Sequence, residues 1–173
     1  MKLFSTLSSA LVLAASLLVA GCNNSSTSAP VKTTSALVSI EAITAGAKGF
    51  TVGSPMSART VYVFFDAQCP HCSALWYAAK PLKSQAKFVW IPVGILNGAS
   101  TSQGATILAA SDPVAAMETH EASMMSKGGG ISATADADAQ KDAIKKNTEL
   151  MTSFGFASIP TVVAKHAQTG ELV

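Results

Sequence analysis

Val61-Tyr62-Val63-Phe64-Phe65-Asp66-Ala67-Gln68-Cys69-Pro70-His71-Cys72 is the stretch whose reading decides the fold. From Thr60 the run is apolar, β-branched and aromatic, which reads as a central strand covered on both faces. The stretch from Ser73 to Gln85 reads as a helix. A strand that delivers a C-x-x-C pair to a helix start is the layout of a thiol–disulfide exchange site. The helix N-terminus carries about half a positive charge and unpaired N–H groups, and both favour a thiolate at Cys69. Cys69 is therefore the expected nucleophile. Cys72, one turn into the helix, is the expected resolving thiol, more buried than Cys69. Pro70 suits the first turn because it needs no N–H partner there. His71 can further stabilise the thiolate, and the dipeptide Pro70-His71 tunes how oxidising the pair is.

Other uses of the pair remain open at this point. A stable disulfide, two inert thiols, or a zinc or copper site built on Cys69, His71 and Cys72 would fit the same residues. A metal site needs further ligands, and His71, His120 and His166 are the only histidines. A c-type haem needs histidine directly after Cys72, where Ser73 stands. The expectation is a redox-active pair with no metal and no other cofactor.

The start of the chain bears on the compartment. Lys2 and the apolar run Leu11 to Val19 read as an export signal, and Val19-Ala20-Gly21-Cys22 looks like a lipoprotein processing site. Residues 1–21 are then a lipoprotein signal peptide, and Cys22 is the lipidated residue. The alternative is an ordinary secretory signal with Cys22 as a stray thiol. With Cys22 set aside, two cysteines three apart cannot form a framework of structural staples. An exported compartment lets such a pair cycle. The net charge of +2 gives no argument for nucleic acid as a partner.

Residues 22–36 are small and polar and read as a flexible tether. Residues 37–173 read as one domain, with its core from about 59. Ala36 to Ile43 alternates weakly and reads as a first strand, and Ala45 to Ser57 as a turn and approach. Lys87 to Leu96 reads as a strand in which Pro92 marks a bend or an unpaired N–H. Gln103 to Ala110 reads as helix. Asp112-Pro113 reads as an N-cap with proline at N1, opening a helix to Met125. Lys127-Gly128-Gly129-Gly130 breaks it. Ala135 to Phe154 reads as helix ended by Gly155. Thr161 to Ala164 reads as strand, and Gln168-Thr169-Gly170 as a hairpin turn.

Single residues follow. Asp66 reads as an acceptor for local N–H groups, with a proton relay as the alternative. His120 and His166 read as surface histidines, and Met117, Met124 and Met125 as packing or surface. Ile159-Pro160 stands just ahead of an apolar strand. That reads as a strand-start proline or as a cis bond beside the cysteine pair.

The order of elements is that of a thioredoxin-like α/β fold with a helical insertion. The segment from Val61 to Cys72 resembles the active-site segment of the DsbC/DsbG family of periplasmic thiol:disulfide interchange proteins. The resemblance continues through Trp90 to Leu96, Ala105 to Ala116, Asn147 to Met151 and Ile159-Pro160-Thr161, and covers residues 59 to 173. It implies a periplasmic reductase or isomerase acting on exported proteins, with Cys69 attacking and Cys72 resolving. It implies a cis bond at Pro160, with Ile159 pairing to an extended substrate segment. It also implies a membrane thiol-redox partner of the DsbD or DsbB kind. Three departures shape the expectation. The segment between Cys22 and the core is too short for the family's N-terminal dimerisation domain, so a lipid-anchored monomer is expected. Pro70-His71 resembles the oxidant DsbA. The sequence ends near Gly170, where the last strand should begin, so the fold is expected to be truncated at its C-terminus.

Overall fold

In a computed structural model, residues 36–173 are described. The expected signal peptide, Cys22 and the expected tether up to residue 35 lie outside the described residues. Four strands form one sheet in the order β1-β3-β2-β4. β1 is Phe50–Gly53, β2 Thr60–Asp66, β3 Lys87–Val93 and β4 Thr161–Ala164. β2 and β3 run parallel, with Thr60 opposite Lys87 and Asp66 opposite Val93. β1 pairs antiparallel with β3, and β4 antiparallel with β2. The parallel pair is joined by helix α2, Pro70–Ala79, and a 3-10 turn, Lys80–Leu82.

Both faces of β2 are buried, as its apolar run requires. Val63 and Phe65 point to one side and pack with Trp76 of α2, Trp90 of β3 and Met117. Tyr62 and Phe64 point to the other and pack with Ile43, Ile91, Met151 and Phe154. The first core is aromatic: Trp76 and Trp90 meet edge-on with centroids 5.0 Å apart, and Phe65 meets Trp90 at 5.5 Å. Such pairs add about 1 kcal/mol each beyond the area they bury.

The helical insertion comprises α3, Gly98–Ala109, and α4, Pro113–Met125. Asn97 caps α3 in a capping box with Ser100. Asp112 caps α4 through the Ala115 N–H at 3.0 Å, with Pro113 in the first turn, as the sequence predicts. α5, Asp138–Ser153, follows a 3-10 turn, Ala135–Ala137. It ends at Gly155, whose φ of 76° lets Gly155 and Phe156 donate back to Thr152 and Met151. After β4 the chain turns at Gly170, and Ala164 pairs with Val173.

Three expectations are corrected. Residues from Ile40 to Gly46 form a helix, α1, rather than a strand. Ser39 caps it through the Ala42 N–H, and only Ile43 is buried, so the weak alternation carried no sheet face. The supposed turn after it holds β1, whose Phe50 and Val52 are buried while Thr51 and Gly53 are exposed. The sheet therefore takes in residues ahead of position 59. The C-x-x-C helix is also shorter than expected: it ends at Ala79, and Lys80-Pro81-Leu82 tightens into 3-10 geometry.

Pro92 has a specific partner arrangement. β1 pairing with β3 stops at Phe50 opposite Trp90, so the missing N–H of Pro92 falls beyond it. Asn147 of α5, fully buried, takes over the pairing. Its amide accepts from Lys48 N–H at 2.8 Å and donates to the carbonyls of Lys48 at 2.8 Å and Pro92 at 2.9 Å.

Candidate active site

The end of β2 sets the site. Asp66 is its last residue and is fully buried. Its carboxylate accepts three backbone N–H bonds: Gln68 at 2.8 Å, Ile95 at 2.8 Å and Leu96 at 3.0 Å. This ties the loop after β2 to the loop after β3, and it is the local-acceptor role that the sequence suggested. Gln68 extends the tie, with its amide against Gln103 of α3 and the Gly129 carbonyl.

Cys69 is the N-cap of α2. Its carbonyl accepts from Cys72 and Ser73 N–H, and its Sγ receives the Cys72 N–H at 3.4 Å. Cys69 Sγ also lies 3.9 Å from the carbonyl oxygen of Ile159. The Ile159–Pro160 peptide is cis. The fold thus brings together Cys69, Cys72 and the Ile159-Pro160 turn, 90 residues apart in the chain. Cys69 keeps 4 % of its surface exposed and Cys72 none. Both are free thiols. Burial pushes the Cys72 thiol far up, and its hydrogen bond to Cys69 adds to that. Pro70 and His71 are exposed at the surface beside Cys69.

His120 is the largest correction at the site. It is fully buried rather than at the surface. Its Nε2–H donates to the Ala67 carbonyl at 2.7 Å, and its Nδ1 accepts the Ile131 N–H at 3.2 Å. Those two bonds require the neutral ring, and burial lowers its pKa in the same sense. His120 thus clamps the loop carrying Cys69 to the Gly-rich loop after α4. The helical spacing of Met117, His120 and Glu121 would have revealed this face, because the three recur at the i, i+3, i+4 offsets of a buried stripe. Glu121 is also fully buried, and the sequence reading passed over it. His166 is exposed, as expected. Met117 is buried and Met125 exposed.

Among the described residues, no group of three or more His, Cys, Asp or Glu side chains is disposed to hold a metal ion. Among them also, no helix is long and apolar enough to cross a membrane.

No protein-family model matches the chain. A thiol:disulfide interchange protein, DsbG from Pseudomonas aeruginosa, is 33% identical over 113 residues, which is 64% of this chain and 43% of that protein. This chain is similar to DsbG and has a thioredoxin-like fold. It spans less than half the length of that relative. Solved thioredoxin-like structures agree on the fold. Pseudomonas aeruginosa DsbA2 superposes with a TM-score of 0.58 at 20% identity, covering 73% of this chain and 87% of that one. Proteus mirabilis ScsC in a transitional conformation gives 0.56 at 16% identity, covering 72% and 64%. Helicobacter pylori DsbG gives 0.53 at 15%, covering 67% and 55%.

Proposed function

We propose that this chain performs thiol–disulfide exchange on exported proteins, with Cys69 attacking and Cys72 resolving. The observation that carries this reading is the Cys69 sulfur at the N-cap of α2, receiving the Cys72 N–H at 3.4 Å, with Cys72 buried behind it. A helix N-terminus and a direct N–H donor both stabilise a sulfur anion. The Cys69 thiolate attacks a substrate disulfide, its electron pair forms the mixed disulfide, and one substrate sulfur leaves as thiolate. Cys72 then attacks Cys69 Sγ, the Cys69–Cys72 bond forms, and the second substrate sulfur leaves. The substrate is reduced and the pair oxidised; the reverse sequence oxidises a substrate dithiol.

Pro70 and the exposed His71 set the thiolate's stability. Ile159 and Pro160 receive an extended substrate segment beside Cys69, by strand addition. The similarity to DsbG supports a reductase or isomerase direction in the periplasm, with a membrane thiol-redox partner restoring the pair; the Val19-Ala20-Gly21-Cys22 stretch is what supports a lipid at Cys22. The Pro70-His71 dipeptide favours a second reading, a DsbA-like oxidant.

The reduction potential of the Cys69–Cys72 pair separates the two. A value near about −270 mV gives a reductant, and one near about −120 mV an oxidant. The exchange reading itself requires that Cys69→Ser abolish reaction with an oxidised peptide and that Cys72→Ser trap the mixed disulfide. A Cys69→Ser chain that still exchanges would overturn it.

A further inference from the structure

Gln103 is a buried amide on α3, whose other buried residues are small or apolar. Its Nε2 donates to the carbonyl of Gly129 at 2.8 Å and to that of Ile131 at 2.9 Å. Its Oε1 accepts from Nε2 of Gln68. Gln68 gives its second N–H to the same Gly129 carbonyl at 3.2 Å, and its Oε1 accepts from Asn97 Nδ2 at 3.4 Å. The two carbonyls decide how both amides are turned. Gln103 must present its NH2 to them, so its oxygen faces Gln68, whose NH2 answers it. A buried amide is tolerated only when its bonds are made. Here they go to the residue before Cys69 and to the loop after α4.

That loop has little with which to hold itself. Lys127, Gly129 and Gly130 have φ of 62°, 80° and 90°, and three consecutive glycines bring no side chains. It is fastened from outside: Ser123 Oγ bonds Gly130, His120 accepts the Ile131 N–H, and the two glutamines take the carbonyls. A Cβ added at Gly130 would stand 3.0 Å from Gln103 Nε2, so the loop backbone lies directly against the amide.

Cys69 has two relations to keep. Its Sγ receives the Cys72 N–H at 3.4 Å, which the start of α2 supplies by itself. Its Sγ also stands 3.9 Å from the Ile159 carbonyl, and that relation depends on where the whole Cys69 loop sits. Asp66 holds the Gln68 and Cys69 N–H groups to the end of β2, and His120 holds Ala67. The Gln68 side chain adds a lateral tie, to α3 and to the glycine loop.

We propose that Gln68 and Gln103 form one positioning clamp, which holds Cys69 in register with the Ile159 edge and so favours disulfides carried on an extended peptide over small free disulfides. The inference rests on the exchange chemistry and the strand addition proposed above. Neither glutamine touches the reacting sulfurs. Gln103 acts through Gln68, and Gln68 through the backbone of Cys69. A peptide docked along Ile159 presents its disulfide at one place, so the Cys69 sulfur must already stand there. A small disulfide sets no such condition, because it approaches along whatever line the sulfur offers. Misplacement by about 1 Å costs up to about 100-fold in an oriented reaction.

Two probes with one leaving group test this. One is a blocked single cysteine joined to thionitrobenzoate, and the other is the same mixed disulfide in the middle of an extended linear peptide. In both, Cys69 Sγ attacks the cysteine sulfur, the S–S bond breaks and coloured thionitrobenzoate leaves. The unsubstituted chain is expected to react faster with the peptide. In Gln68→Ala and in Gln103→Ala the ratio of the peptide rate to the single-cysteine rate should fall about 10-fold. In the double variant it should fall no further than in the more affected single one. Gln103→Leu, which refills the buried space with an apolar side chain, should show the same fall. A ratio unchanged in these variants overturns the clamp, and single effects that multiply in the double variant overturn its action as one unit. Equal rates of the unsubstituted chain on both probes remove the strand-addition reading and the proposal with it. No reaction with either probe overturns the exchange function itself. Proton exchange in the unsubstituted reduced chain, followed by NMR, needs no variant to fold. The side-chain NH2 protons of Gln103 should exchange slowly with solvent, and exchange at the rate of a free amide overturns the proposal.

Discussion

Glu121 makes the pH dependence of stability a quantitative test. Its folded carboxyl lies at about 7 against an ordinary 4.5, mainly because burial opposes charge. Between those values the folded chain holds a proton that the unfolded chain has released. Stability from this group is therefore fully present below about pH 4.5 and is lost as pH rises towards about 8. The whole shift is worth about 3 kcal/mol, of which about 2.5 kcal/mol falls between about pH 5 and about pH 8. His120 works the other way: its pKa is lowered by burial, so the unfolded chain binds the extra proton and stability falls as pH drops through the usual histidine range. The unsubstituted chain thus sums two opposing slopes, and its own pH profile does not isolate either. Glu121→Gln removes one slope and leaves the other. The assay is urea unfolding of both proteins at about pH 5 and about pH 8, followed by fluorescence of the buried Trp76 and Trp90. The stability difference between the two proteins should swing by about 2.5 kcal/mol in favour of Gln at the higher pH. Any constant offset from burying the amide is the same at both pH values, so only the swing is diagnostic. Parallel pH curves for the two proteins would refute the reasoning.

Other expectations follow from the tied loops and the sheet edge. Asn147→Ala strands Lys48 N–H and the carbonyls of Lys48 and Pro92 at the end of β3. It should cost about 3 kcal/mol in denaturant unfolding. Asp66→Asn turns an amide NH2 towards Gln68 or towards the Ile95-Leu96 pair. A loss of about 2 kcal/mol is expected, with faster hydrogen exchange at whichever amides are orphaned. Gly130 has a φ of 90°, and an added Cβ would strike the His120 ring. Gly130→Ala should therefore cost about 1–3 kcal/mol, with faster exchange at the Ile131 amide that now bonds His120.

Much of the fold is legible in local residues because those residues act locally. The run from Val61 to Phe65 has only one stable disposal, a strand buried on both faces. Asp112-Pro113 and Gly155 fix helix ends through single bonds and single dihedrals. Cys69 and Cys72 at the start of α2 declare their spacing outright. Asp66 was legible too, since a buried acid after a strand needs nearby donors. β1 was not legible: its alternation spans only four residues beside glycines, too short to mark a strand, and only the edge of β3 makes them one. α1 failed for a related reason, because Val38 and Ile40 alternate by chance while the Ser39 cap sets the conformation.

The sequence by itself determined the central strand, the cysteine pair and the helix that receives it, since each depends on neighbours within a few residues. Tertiary structure decided what surrounds them. It put the Ile159 carbonyl 3.9 Å from Cys69 Sγ across a separation of 90 residues. It turned His120 inward as a clamp, because the Ala67 carbonyl and the Ile131 N–H meet on either side of its ring. It buried Glu121 behind Ser73 without a partner, because α4 packs on α2. Burial and partnership are properties of two surfaces in contact, and a helical residue carries no mark of which acid its packed neighbours will leave unpaired.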